Sequence, residues 1–245
     1  MPRVLIDARA VRDGSIAIRD PDTLHRLLRV LRMKVGDALE CFDGAGHRYA
    51  GRVAHCARQS MVIDVAQRID EAPPALRVTL AQGLIRPERF DWVIQKATEL
   101  GVERVTPLIT AHTVIRLAND QCERKVARWT RIAEEAAQQC GRATIPIIDA
   151  PQRFDRFVPT LTSYSGAVMP TLSAASRPLN QQLQDLDHWS SVAALIGPEG
   201  DFTREECLLA QRYGASLVSL GRLTLRSETA AVALLAILSC AAGVW

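Results

Sequence analysis

Residues 192–202, VAALIGPEGDF, and residues 216–229, SLVSLGRLTLRSET, decide the fold. Each stretch begins as a short apolar run, 192–196 and 216–220, and then breaks into a glycine-bearing loop that leads into a helix. Apolar runs of strand length that alternate with helical segments predict a largely parallel sheet covered on both faces. In open sheets of that kind ligands bind in crevices outside the carboxyl ends of the strands. The two strands are therefore expected to end side by side, with the candidate site in their loops.

The local chemistry agrees. Gly197-Pro198-Glu199-Gly200 suits a type I turn with Pro198 at its second position, and its glycines let a ligand approach the backbone without meeting a Cβ. Taken alone, this tetrapeptide reads equally well as an ordinary surface turn. Thr203-Arg204-Glu205-Glu206 has the form of a capping box. Ser227 is expected to cap the last helix in the same way, with Glu228 in the first turn, where the dipole favours an acid.

Further upstream, strands are expected at 76–82, 102–109, 144–148 and 166–169, with helices from Pro87 to Gly101 and over 122–141. Phe90, Val93, Ile94 and Ala97 share one face of the first of these helices. Segments 152–162 and 170–188 give no clear pattern. The pair Pro73-Pro74 breaks both helix and ladder, which sets the expected boundary between a first domain, 1–72, and a second, 73–245. The first domain shows short alternating runs at 38–42, 48–53 and 61–65, typical of strands. Gly44-Ala45-Gly46 lies between two of them with no helix after it, so it reads as a hairpin turn and not as a dinucleotide loop. One helix, opened by Asp20-Pro21, interrupts the strands. Leu24, Leu27, Leu28 and Leu31 form its apolar face, while Arg26, Arg29, Arg32 and Lys34 lie off that face with no acid between Thr23 and Gly36. Such a charged face is usually just solvated, yet cations without carboxylates are what phosphate contacts require.

Composition bounds the function. The chain has 245 residues, is 48% hydrophobic and 23% charged, and its net charge of +3 permits a polyanionic partner without requiring one. Its six cysteines (41, 56, 122, 140, 207 and 240) form no C-x-x-C pair and share no spacing with the histidines. This argues against structural zinc and disulfides and for a reducing, cytoplasmic setting. Residues 1–14 lack the apolar core of a signal peptide. Residues 229–245 carry no charge but are too few to span a bilayer, so they read as a helix covered on more than one side, which predicts a homodimer and no membrane. The phosphate-loop, zinc-protease, nucleophile-elbow and Gly-x-Gly-x-x-Gly strand–helix motifs are all missing, which disfavours a Rossmann-type enzyme.

IGPEGDF followed by LGRLTLRSETA resembles the IGPEGG…LG…LRTETA pair of the RsmE family, SPOUT-type methyltransferases that act on N3 of a uridine in 16S ribosomal RNA. The resemblance extends through IQKATELGVERVTPL (94–108), KVARWTRIAEEAAQQCGR (125–142) and HRLLRVLRMKVGD (25–37), nearly the whole chain. Asp201 stands where the family usually has Gly, and Ser227 where it usually has Thr. The resemblance implies an α/β fold. Its SPOUT methyltransferase domain has a mostly parallel sheet and a C-terminal trefoil knot, and is preceded by a small PUA-like β-barrel RNA-binding domain.

The resemblance also implies S-adenosyl-L-methionine as cofactor, no metal, and 16S rRNA of the assembled or nearly assembled small subunit as partner. Cofactor contacts would fall on Met169, Pro170, Leu195, Ile196, Gly197, Pro198, Glu199, Gly200, Leu220, Gly221, Leu223, Leu225 and Thr229. The imide proton of uridine N3 must leave before attack, so a cation is needed where charge develops on O2 and O4; Arg226 is the first candidate. The base could be Glu199, Glu228 or water. The bland reading of Arg226 is a loop cation paired with Glu228. Lys96, Glu99, Arg128, Gln139 and Arg142 match the family's central motifs, with Lys96 and Glu99 spaced as a surface ion pair. Arg26, Arg29, Arg32, Arg86 and Arg142 are the candidate RNA contacts. A methyltransferase of another RNA atom, such as a ribose 2′-hydroxyl, and a non-catalytic RNA-binding assembly factor are the rival readings.

Overall fold

The computed structural model describes residues 1–114, 119–173 and 175–243. It divides into two compact units, Met1–Pro73 with Ala137–Ile145, and Pro74–Ala136 with Pro146–Trp245.

The first unit is built on six strands: β1 (Arg3–Leu5), β2 (Val11–Arg12), β3 (Ser15–Ile18), β4 (Ala38–Phe42), β5 (His47–Ala57) and β6 (Ser60–Asp70). They order as β1-β4-β5-β6-β3-β2, antiparallel except for β1 against β4. The hairpin expected at residues 43–46 joins β4 to β5, and the Asp43 carboxylate accepts from the Ala45 and His47 amides to close it. Asp20 caps α1 (Pro21–His25) by accepting from the Thr23 amide. The chain then widens, Leu31 N–H reaching back five residues to the Arg26 carbonyl. The widening rotates Leu31 off the apolar face. Leu24 and Leu27 are buried as expected, whereas Leu31 is exposed. Residues 137–145, which include the last turn of the long helix, belong to this unit: Ala137 and Ala143 pack with Phe42, and Thr144 bridges Gly44 and Ala45. The strand expected at 144–148 is therefore shared out, with only Ile147–Ile148 in the second sheet.

The second unit carries β7 (Arg77–Gly83), α2 (Pro87–Glu99), β8 (Arg104–Ile109), α3 (Asn119–Cys140), β9 (Ile147–Ile148), β10 (Gln152–Arg153), α4 (Phe154–Phe157), β11 (Gly166–Pro170), β12 (Arg177–Pro178), α5 (Leu179–Gln182), β13 (Ser191–Ile196), α6 (Arg204–Arg212), β14 (Ser216–Ser219) and α7 (Ser227–Ala241). Its strands are all parallel and order as β10-β8-β7-β13-β11-β14-β12, with β9 also on β8. The strands β13 and β14 are thus not side by side as expected: β11, whose end carries Met169-Pro170, lies between them.

Alternation along the strands sets the two faces. Ala81, Ala167, Met169, Ala193 and Leu195 join a core with Phe154, Phe157 and Leu161 under α4 and α6. On the other face α7 packs on β7, β13 and α2, and Phe90 of α2 stacks on Trp129 of α3 with ring centroids 4.5 Å apart. The buried apolar residues of α7, Ala231, Leu234, Leu235 and Leu238, form a single stripe, and Ile237 and Cys240 are exposed. Residues 244–245 of the apolar run lie outside the described residues. Among the described residues no helix is long and apolar enough to cross a membrane.

Candidate functional site

The carboxyl ends of β11, β13 and β14 open into one cavity of about 280 Å³. Pro170, Thr171 and Leu172 form one wall, Ile196 to Glu199 with Asp201 a second, and Ser219 to Gly221 with Leu223 to Ser227 a third. Its mouth is apolar on two sides, since Leu172 is 69% and Leu223 80% exposed. Of the residues expected to contact the cofactor, Pro170, Ile196, Gly197, Pro198, Glu199, Leu220, Gly221, Leu223 and Leu225 all line it. Met169 and Leu195 instead point into the core under α4 and α6. They alternate with the residues that face the cavity, so any contact they make with a ligand there is through the backbone. Gly200 and Thr229 lie off the cavity, the Gly200 α-carbon facing the His112 ring.

Several local readings are corrected. The hydrogen-bonded turn runs from the Pro198 carbonyl to the Asp201 amide, one residue later than expected, so Glu199-Gly200 are its centre. Asp201 takes φ +57°, a left-handed conformation that Asp tolerates better than most residues. Gly221, at φ +130°, needs its glycine for the backbone conformation, and no atom would crowd a Cβ there. The need for Gly197 is different: a Cβ would sit 3.0 Å from Asp201 Oδ1. The capping box at Thr203 and Glu206 forms as expected.

Ser227 does not cap α7. Arg226 is the residue before the first turn, and Ser227, already helical and buried, donates from Oγ to the Gly197 carbonyl at 2.5 Å. The Gln82 side-chain amide donates to the same Oγ at 2.9 Å. This buried chain ties the end of β7, the loop after β13 and the start of α7 together. Gln82 escaped the sequence reading because nothing near it in the chain distinguishes it from other strand residues. Gly83 was missed for the same reason; the Pro198 nitrogen would lie 2.7 Å from its Cβ.

The charged groups divide unequally. Arg89 of α2 reaches Glu228 at 3.6 Å and Glu199 at 3.9 Å. Glu228 is thus partnered by Arg89 and not by Arg226, and its side chain is only 13% exposed, against 46% for Glu199. Arg226 lines the cavity, and its guanidinium makes no hydrogen bond or ion pair among the described residues. Arg89 was missed by sequence, although it lies in the helix-opening stretch RPERF.

The candidate RNA contacts also separate. Arg29 and Arg32 are exposed and make no ion pair among the described residues. Arg26 is half-buried, and its guanidinium is occupied by the Arg3 carbonyl at 2.7 Å, so it serves the fold. The Arg142 guanidinium donates to Thr144 Oγ1 at 2.7 Å and is likewise engaged within its unit. Arg86 is exposed at the start of α2. Lys96 and Glu99 form the expected ion pair at 2.8 Å, and Arg128 pairs with Asp91. No cluster that could hold a metal exists among the described residues.

Comparison with known proteins agrees with this geometry. The profile of the RNA methyltransferase domain matches residues 72–239, and that of the RNA methyltransferase PUA domain matches 18–65. A Synechocystis protein named ribosomal RNA small subunit methyltransferase E is 32% identical over 215 residues, covering 87% of this chain and 69% of that protein. The chain belongs to this methyltransferase family. The Bacillus subtilis family member is 28% identical, covering 85% of this chain and 84% of its own length. Among solved structures, a putative methyltransferase from Legionella pneumophila in complex with the bound cofactor SAM superposes with a TM-score of 0.85 at 28% identity, covering 98% of this chain and 97% of that one. The family member from Neisseria gonorrhoeae, bound to S-adenosyl methionine, gives 0.84 at 26% identity over the same shares.

Proposed function

We propose that this chain methylates N3 of a uridine in 16S ribosomal RNA, with S-adenosylmethionine held in the cavity at the ends of β11, β13 and β14. The observation that carries the reading is the unpaired guanidinium of Arg226 on the wall of that cavity. The residues present fit the cofactor: Ile196, Leu220, Leu223 and Leu225 offer apolar walls, and the loops at Gly197 and Gly221 offer backbone groups without intervening side chains. When bound, S-adenosylmethionine supplies an electrophilic methyl group and leaves as a neutral thioether, chemistry that requires no metal.

The chain's own residues then handle the proton and the charge. Glu199, half exposed on the cavity wall, is the carboxylate that accepts the imide proton in this reading; Glu228 is more enclosed and lies nearer Arg89, at 3.6 Å against 3.9 Å for Glu199. Arg226 stabilises the negative charge that spreads onto O2 and O4 as that proton leaves. Arg29 and Arg32 of the first unit and Arg86, just before α2, meet the phosphates of the RNA. The exposed side of α7, with Ile237 and Cys240, supports a homodimer through that helix, and a ribosomal RNA substrate supports a cytoplasmic setting. The family resemblance further implies that the C-terminal chain is threaded as a trefoil knot.

Arg226→Ala tests the reading. Single-turnover methylation of small-subunit particles should slow by roughly two to three orders of magnitude, the range for a lost charge-stabilising donor, with cofactor affinity changed by less than about tenfold. The deficit should shrink at alkaline pH, where the imidate forms more readily. An undiminished rate removes Arg226 from the mechanism, and methylation found by mass mapping at a ribose 2′-hydroxyl favours the rival acceptor.

A further inference from the structure

Asp201 stands where the family resemblance leads one to expect glycine, and all of its carboxylate is in use. Oδ2 accepts from the Thr171 hydroxyl and from the Leu172 amide, each at 2.8 Å, and Oδ1 accepts from the Phe202 amide at 2.8 Å. Thr171 and Leu172 belong to the loop after β11, whereas Asp201 closes the loop after β13. Two walls of the cavity are thereby joined by one side chain. Leu172, which that bond orients, is largely exposed and lines the cavity mouth. The left-handed backbone that glycine would supply is kept, at φ +57°.

We propose that Asp201 is a positioning residue that fastens the Thr171–Leu172 loop to the Gly197–Asp201 loop and so sets the cofactor pocket before the ligand arrives. The proposal rests on the reading of this cavity as the S-adenosylmethionine site. Hydrogen bonds to a charged acceptor are stronger than neutral ones, and holding a loop in its bound conformation raises affinity by removing the entropy lost on ordering it. Glu199 and Arg226 carry the proton and charge chemistry of the site in that reading. Both Asp201 oxygens already face donors within the protein, which suits a structural fastening.

The test is S-adenosylmethionine affinity, measured by calorimetry on the full chain and on variants. Asp201→Gly suits the left-handed backbone and removes only the carboxylate, and it should bind about tenfold more weakly. Thr171→Val removes one of the donors and should lose about threefold. The double variant should bind no more weakly than Asp201→Gly alone, because the two changes delete the same contact. Asp201→Asn, which keeps one acceptor oxygen, should fall between wild type and Asp201→Gly. A role confined to fold stability would lower the melting temperatures and leave no such coupling in ligand affinity. Additive losses, or Asp201→Gly binding like wild type, would overturn the proposal. Thr171→Val leaves the Asp201 backbone untouched, so wild-type affinity in that variant overturns the proposal even where Asp201→Gly does not fold. Wild-type protein that fails to bind the cofactor sinks the reading of the cavity itself, an outcome distinct from the others.

Discussion

Replacing Ser227 by Ala should destabilise the second unit out of proportion to the single oxygen removed. The hydroxyl is buried, donates to the Gly197 carbonyl and accepts from the Gln82 amide, so its loss strips two groups of a partner at once. Gln82 retains its bond to the Gly83 carbonyl at 3.0 Å and loses only part of its hydrogen bonding. Gly197 has no side chain to fill the gap, and water would have to enter a site closed by Ser227 to satisfy its carbonyl. A buried group left unsatisfied costs about 1–3 kcal/mol, and adding a partial loss at Gln82 gives about 2–3 kcal/mol for Ser227→Ala. Urea unfolding followed by tryptophan fluorescence and far-ultraviolet circular dichroism measures this as a fall in midpoint at constant m-value. Ser227→Thr keeps the hydroxyl and should stay within about 1 kcal/mol of wild type. Gln82→Met leaves the bond from Ser227 to Gly197 intact and also removes the Gln82 Oε1, which is buried without a partner, so its loss should be smaller than that of Ser227→Ala. A Ser227→Ala protein within about 0.5 kcal/mol of wild type, the range of ordinary surface substitutions, would refute the argument.

Asp20 gives a pH-dependent test. The Thr23 backbone amide bonded to its carboxylate holds its pKa below the usual range. The stabilisation is therefore complete above the unfolded value of about 3.9 and is lost as pH falls through the lowered folded value. Asp20→Ala should cost about 1 kcal/mol at neutral pH, with the difference from wild type vanishing in acid-unfolding titrations below that window. Arg29→Gln with Arg32→Gln should weaken RNA binding in filter assays and reduce the salt slope by roughly two, leaving S-adenosylmethionine affinity unchanged; unchanged RNA affinity would make both residues a solvated face. Light scattering at micromolar concentration should give a dimer mass, and a monomer would mean that the open side of α7 has no partner copy.

The chain by itself determined the main strands and helices of the second unit, β7, α2, β8, α3, β11, β13, α6, β14 and α7, together with the hairpin at residues 43–46 and the capping box at Thr203, but not the short elements within 152–162 and 170–188. Each of these depends on residues within a few positions of one another, so periodicity and turn chemistry are enough to read them. It also marked the loops at Gly197 and Gly221 as the candidate site, because glycine and proline limit the backbone locally, and both loops line the cavity. Tertiary structure alone decided that β11 enters between β13 and β14, since strand order depends on pairing between distant segments. It turned Met169 and Leu195 into core and gave Ser227 partners 30 and 145 residues away instead of the helix end beside it. It gave Glu228 to Arg89, which leaves Arg226 facing the cavity. A side chain's local sequence fixes the backbone it sits on, but its partner is whichever donor or acceptor the fold brings within about 3 Å. For Ser227 and Asp201 those partners lie on other loops.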